Sequence, residues 1–109
     1  MSTHQETTLQ AFDDNAAQTA FAAHPDWTLN LEKGCARRLF QFEDFAQAFG
    51  FMAQMAVVSE AMNHHPEWFN VYNRVDITLT THDAGGLSPR DKDWAERADK
   101  VYAAICTGA

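Results

Sequence analysis

The chain of 109 residues carries a formal net charge of −7 and is 46% hydrophobic, with eight Phe and three Trp, enough apolar material for a core and unlike the composition of a disordered chain. So few Lys and Arg exclude a general nucleic-acid binder, which neutralises phosphates with clustered cations, and no apolar run approaches the roughly 20 residues of a bilayer-spanning helix. Met1-Ser2-Thr3-His4-Gln5-Glu6 lacks the basic and apolar regions of a secretory leader, so a single cytoplasmic domain over residues 1–109 is expected.

In chain order, Thr3-His4-Gln5-Glu6 fits a capping box. Leu9, Phe12, Ala16 and Ala20 continue at helical spacing to about His24, and Pro25 stops the helix. Trp27, Leu29 and Leu31 then alternate with Thr28, Asn30 and Glu32 at the period of a half-buried strand. Lys33-Gly34 supplies a tight turn, and residues 35–42 read as the returning strand. Arg37-Arg38, the one adjacent pair of cations, fall in that strand and read as solvated or ion-paired. Cys35 and Cys106 make neither a disulfide framework nor a zinc ligand set and read as small fillers.

Residues 43–63 carry the strongest helical pattern. At about 100° per residue, Phe45, Phe49, Met52 and Ala56 form one stripe, and Ala48, Phe51, Met55, Val58 and Met62 form a second. Glu43, Gln47, Gly50 and Gln54 leave only a narrow polar edge. A helix this apolar is not satisfied by one sheet face, so the second stripe is expected to pack on another subunit. After Pro66, residues 70–73 read as a short strand or an extended entry. Val75, Ile77, Leu79 and Thr81 then alternate with polar neighbours, and His82 closes the strand on its polar side. Gly85-Gly86 breaks the chain, and Ser88-Pro89-Arg90-Asp91 opens a last helix, with Ser88 as N-cap and Pro89 in its first position. Trp94, Ala98, Val101 and Ile105 form its buried stripe. The order α-β-β-α-β-β-α predicts an α+β fold, an antiparallel sheet covered on one face by helices.

The stretch from Glu60 to Trp68 (EAMNHHPEW) is the richest in chemistry. Pro66 disfavours helix at the preceding residue, which leaves His64 and His65 near a helix C-terminus, pointing in different directions. His82 would border the same cleft. Histidine moves protons near neutral pH, its unperturbed pKa being about 6.5, so the cluster fits a reaction limited by proton transfer, such as a dehydration. A metal site is the rival reading, since imidazole is a common ligand. Against it, adjacent histidines lack the spacing of a helical turn, and no Cys or paired carboxylate completes a set. Trp27 and Trp68 read as core residues, and Glu60 as a partner of backbone or of His64. No G-x-G-x-x-G, G-x-S-x-G or Gly-Lys-Ser/Thr element is present, which leaves the nucleotide-dependent and serine-hydrolase classes without support.

The string from Glu60 to Asn73 (EAMNHHPEWFNVYN), followed by 75–83 (VDITLTTHD) and then Gly86-Leu87-Ser88 with Asp91, resembles the pterin-4a-carbinolamine dehydratase family. Phe42–Met52 (FEDFAQAFGFM) and Trp27 extend the resemblance upstream, while Asn63 stands where some members carry Asp. The resemblance implies a hydro-lyase that removes water from 4a-hydroxytetrahydrobiopterin to give quinonoid dihydropterin. It would recycle, without metal or other cofactor, the pterin of aromatic amino acid hydroxylases. It implies His64, His65 and His82 as catalytic residues, with Glu60, Asn63, Pro66, Trp27, Thr81, Asp83 and Asp91 around the substrate. It also implies homodimers or homotetramers, with sheets joined across subunits and long helices packed together. Two alternatives remain within the resemblance: a dimerisation or transcriptional co-regulator module, and a pterin-binding member recruited to molybdopterin metabolism.

Overall fold

The computed structural model describes residues 10–107. The first helix, α1, spans Asp14–Phe21 and starts where Asp13 accepts the Ala16 N–H at 2.7 Å, a side-chain N-cap. It is shorter than the helix expected from Thr3 to His24. Residues 10–13 are not helical, and the Phe12 N–H instead donates to Leu87 O at 2.7 Å. The capping box at Thr3 and Glu6, and Leu9, lie outside the described residues.

Strands β1 (Thr28–Asn30), β2 (Cys35–Gln41), β3 (Glu67–Val71) and β4 (Arg74–Leu79) form one sheet in the order β1-β2-β4-β3, every neighbour antiparallel. β3 begins three residues before the expected entry at residue 70. β4 stops at Leu79, so His82 is not the last residue of a strand: it opens a short 3-10 turn, His82–Ala84. Alternation sorts the sheet into two faces. Ala36, Phe40, Val75, Ile77 and Leu79 are fully buried beneath the helices, whereas Leu39, Phe69 and Val71 are exposed on the other side.

Helix α2 (Phe45–Met62) is capped by Asp44, which accepts the Gln47 N–H at 2.9 Å, and ends at Asn63 in the left-handed region. It packs on β4 and on α3 (Pro89–Thr107). Both stripes expected on α2 exist, but the second, expected to pack on another subunit, faces this chain's own core. Ala48, Phe51 and Met55 of the second stripe are buried within this chain, in the core with Phe40, Ile77 and Trp94. Phe45 and Phe49 of the first stripe, with Val57 beyond it, are exposed. The sheet face and α3 take the side of the helix nearest Ser59, whose hydroxyl accepts the Trp94 indole N–H at 2.9 Å. A periodicity argument finds the two stripes but carries no information about which one meets the sheet.

Arg37 pairs with Asp76 across β2 and β4, its Nε donating to Oδ1 at 2.8 Å, and that contact holds the Asp76 carboxyl below its ordinary range. Among the described residues, no helix is long and apolar enough to cross a membrane.

Candidate active site

Three breaks in regular structure meet at one edge of the fold: the end of α2, the loop after β4 and the start of α3. Asn63 adopts φ 53° and ψ 45°, a left-handed helix terminus that short polar side chains tolerate. The chain therefore reverses, and the His64 N–H closes the helix end by donating to Ser59 O at 3.0 Å. A cavity of about 250 Å³ opens there, lined by Asn63, His64, His65, Thr81, His82 and Asp83, with Thr80 and Arg90 completing it.

The histidines are not equivalent. His64 is buried and its Nε2 lies 2.6 Å from Oδ1 of the fully buried Asp91. Asp91 Oδ2 accepts the Thr81 hydroxyl at 2.7 Å and the Ser88 N–H at 3.0 Å. The Ser88 hydroxyl lies 2.7 Å from the Thr81 hydroxyl and accepts the Arg90 N–H at 3.3 Å. With Asp91 as a carboxylate, which only accepts, Ser88 donates to Thr81 and Thr81 donates to Asp91. In its neutral form His64 must donate Nε2–H to that carboxylate, which leaves the lone pair on Nδ1. Among the described residues no hydrogen bond engages Nδ1 and no buried side-chain nitrogen or oxygen lacks a partner, so Nδ1 keeps some exposure on a residue that lines the cavity.

His65 Nε2 lies 2.6 Å from Glu60 Oε2, one turn back on α2, and both side chains are largely exposed. His82 Nε2 lies 3.5 Å from Glu67 Oε2 at the start of β3, also in solvent. Each imidazole thus faces its own carboxylate. Among the described residues, no group of His, Cys, Asp and Glu side chains converges as metal coordination requires. The arrangement offers one oriented lone pair on a buried imidazole and two exposed imidazoles in the same cavity lining. That suits proton removal at one atom and proton delivery at its neighbour.

Of the residues singled out in the sequence, Asn63, His64, His65, Thr81, His82 and Asp83 line the cavity. Glu60 stands behind His65 and Asp91 beneath His64. Pro66 is half-buried and sits outside the lining set. Trp27 is elsewhere: it is buried between Phe21 and Phe40, and its indole donates to Asp99 Oδ1 at 2.9 Å. Arg38 donates to the same oxygen at 2.7 Å. Sequence reasoning missed Thr80, Arg90 and Glu67 as site residues. Glu67 reaches His82 only because β3 pairs with β4, Glu67 opposite Thr78, a register no local pattern specifies. For Ser88 a signal was available: the spacing to Asp91 that marked a helix cap also marks the support of His64.

Comparison with known proteins points to one family. The family model described as pterin 4 alpha carbinolamine dehydratase matches residues 10–101. A protein of Rhodospirillum rubrum, provisionally named pterin-4-alpha-carbinolamine dehydratase, is 51% identical over 89 residues, which is 82% of this chain and 93% of that protein. One from Burkholderia vietnamiensis with the same provisional name is 50% identical over 86 residues, 79% of this chain and 84% of that protein. Among solved structures, a transcriptional coactivator/pterin dehydratase from Brucella melitensis superimposes with a TM-score of 0.82 at 39% identity, covering 85% of this chain and 99% of that one. A pterin dehydratase-like protein identified as a RuBisCO assembly factor in the alpha-carboxysome shares the fold, with a TM-score of 0.63 at 24% identity over 72% of this chain and 92% of that one.

Proposed function

The chain belongs to the pterin 4 alpha carbinolamine dehydratase family of hydro-lyases, and from that membership we propose that it dehydrates a 4a-hydroxytetrahydropterin by histidine acid/base catalysis. The reaction breaks the C4a–O and N5–H bonds and forms a C4a=N5 bond, with release of water and of the quinonoid dihydropterin. The departing hydroxyl needs a proton and N5 must lose one, so no net proton is consumed.

The observation that carries the reading is the buried Asp91–His64 contact. It supports His64 as the base: Nδ1 takes the N5 proton, and the Asp91 carboxylate faces the imidazolium that forms. His65 and His82, exposed to solvent and each beside a glutamate, exchange protons freely with water and supply the one that leaves with the hydroxyl. Well-placed groups of this kind contribute roughly 10²–10⁴-fold in rate. Product formed this way would return to an aromatic amino acid hydroxylase through a separate reductase. The test is a coupled assay of quinonoid dihydropterin formation with and without the protein. Acceleration abolished in His64→Ala is expected, and an unaltered spontaneous rate with the wild-type chain would refute the reading.

A second reading, a dimerisation or co-regulator module, is favoured by the exposed Phe45, Phe49 and Val57 on α2. Such apolar exposure is a usual mark of a protein contact. It also supports a homodimer or homotetramer, which is compatible with catalysis. A module without enzymatic work would leave dehydration at its spontaneous rate.

A further inference from the structure

Burial holds His64, but almost nothing holds the His82 side chain. It is 81% exposed, and its ionic contact with Glu67, at 3.5 Å, is to a group itself 66% exposed, a pair that solvent screening leaves weak. Main chain therefore decides where His82 stands. The turn is closed on itself: Thr81 N–H donates to Gly86 O at 3.1 Å, and Gly86 N–H returns to Thr81 O at 3.2 Å. Ala84 and Gly85 N–H groups both reach Thr81 O at 3.0 Å. A loop closed in this way still needs an anchor on the rest of the fold.

The turn between β1 and β2 provides it. Gly34 sits at φ +67°, and a Cβ there would lie 2.8 Å from Gly86 Cα, so two main chains touch at a separation no side chain tolerates. Thr80, between the end of β4 and the loop, donates its hydroxyl to Gly34 O at 2.7 Å. We propose that Thr80 and Gly34 are positioning residues for His82. The Thr80 hydroxyl pins the Gly34 carbonyl, the pinned turn abuts Gly86, and the contact fixes the loop that carries the imidazole. A catalytic group displaced by about 1 Å can lose as much as ~10²-fold in rate, and an unbraced surface turn has that freedom. The inference rests on the acid/base role of His82 given above. Thr80 also lines the cavity, so direct contact with the pterin is the rival account.

A double-mutant cycle separates the two. Thr80→Val keeps the shape and removes the hydroxyl, Thr80→Ser restores it, and His82→Gln removes the group through which the brace acts. Thr80→Val is expected to lower kcat roughly fivefold or more, Thr80→Ser to recover most of it, and Thr80→Val to add nothing in the His82→Gln background. Gly34→Ala, which approaches the same contact from outside the cavity, should repeat the loss and the non-additivity. Wild-type kcat in Thr80→Val, or losses that multiply in the cycle, would overturn the brace while leaving His82 as acid. Unchanged turnover in His82→Gln alone would instead remove the acid/base role, and the brace with it.

Discussion

Asp91 and His64 come from different helices, the start of α3 and the end of α2, and Oδ1 and Nε2 meet at 2.6 Å inside the protein. With Thr81 and Ser88 filling the other carboxylate oxygen, Asp91 fixes which imidazole nitrogen faces the cavity. Asp91→Asn replaces an acceptor by a group that presents N–H to one of these donors. Turnover is expected to fall roughly 10²-fold or more, and stability by roughly 1–3 kcal/mol from the donor left unpaired. The coupled assay and a urea melt measure the two effects separately.

His64→Ala and His82→Ala should each lower the dehydration rate at least tenfold, a floor below the roughly 10²–10⁴-fold of a well-placed acid/base group, but their stabilities should diverge. His64 is buried against Asp91, so its loss strands a carboxylate and costs roughly 2 kcal/mol or more. His82 is exposed, and its variant should melt with the wild type. Equal melting temperatures for the two variants would contradict the burial difference on which the base assignment stands.

Two titrations away from the cavity bound the pH range of stability. The hydrogen bond from Arg37 is the main cause of the lowered Asp76 pKa. Its contribution is therefore present above the ordinary aspartate value of about 3.9 and is lost as pH falls through the depressed folded value. Burial is the main cause of the raised Tyr102 pKa, with Cys106 adding to it. That contribution is present below the ordinary tyrosine value of about 10 and is lost as pH rises toward the raised one. Thermal melts across pH should show Asp76→Asn flattening the acid limb and Tyr102→Phe flattening the alkaline limb. The Arg37 side chain is largely exposed, so solvent screening should keep the acid effect small.

The exposed apolar strip of α2 predicts self-association. Wild-type protein should sediment as a dimer or tetramer at micromolar concentration, and Phe49→Asp with Val57→Asp should shift it toward smaller species. Both side chains point away from the core, so helix content should be unchanged by circular dichroism. A wild-type monomer would contradict the packing argument.

Local patterns carried most of the architecture. Alternation found the apolar face of β4, and Ser88-Pro89 with Asp91 found the start of α3. The first helix was placed too early because Leu9, Phe12 and Ala16 keep helical spacing. Asp13 caps the chain between them, and one capping bond decides a helix end that periodicity does not see. The same limit applies to α2, where both stripes were legible and their partners were not.

The sequence by itself placed His64 and His65 at a helix end and His82 after a strand, and its resemblance to the dehydratase family implied that the three share one site. Only the tertiary structure decided how they differ. Asp91 reaches His64 through the packing of α2 against α3, and Glu67 reaches His82 through strand pairing. Those contacts join residues 27 and 15 positions apart, and their distances follow from how layers and registers fit together rather than from any local preference of the chain. One histidine is thereby locked in a single tautomer beside a buried carboxylate, while the other depends on the backbone that carries it.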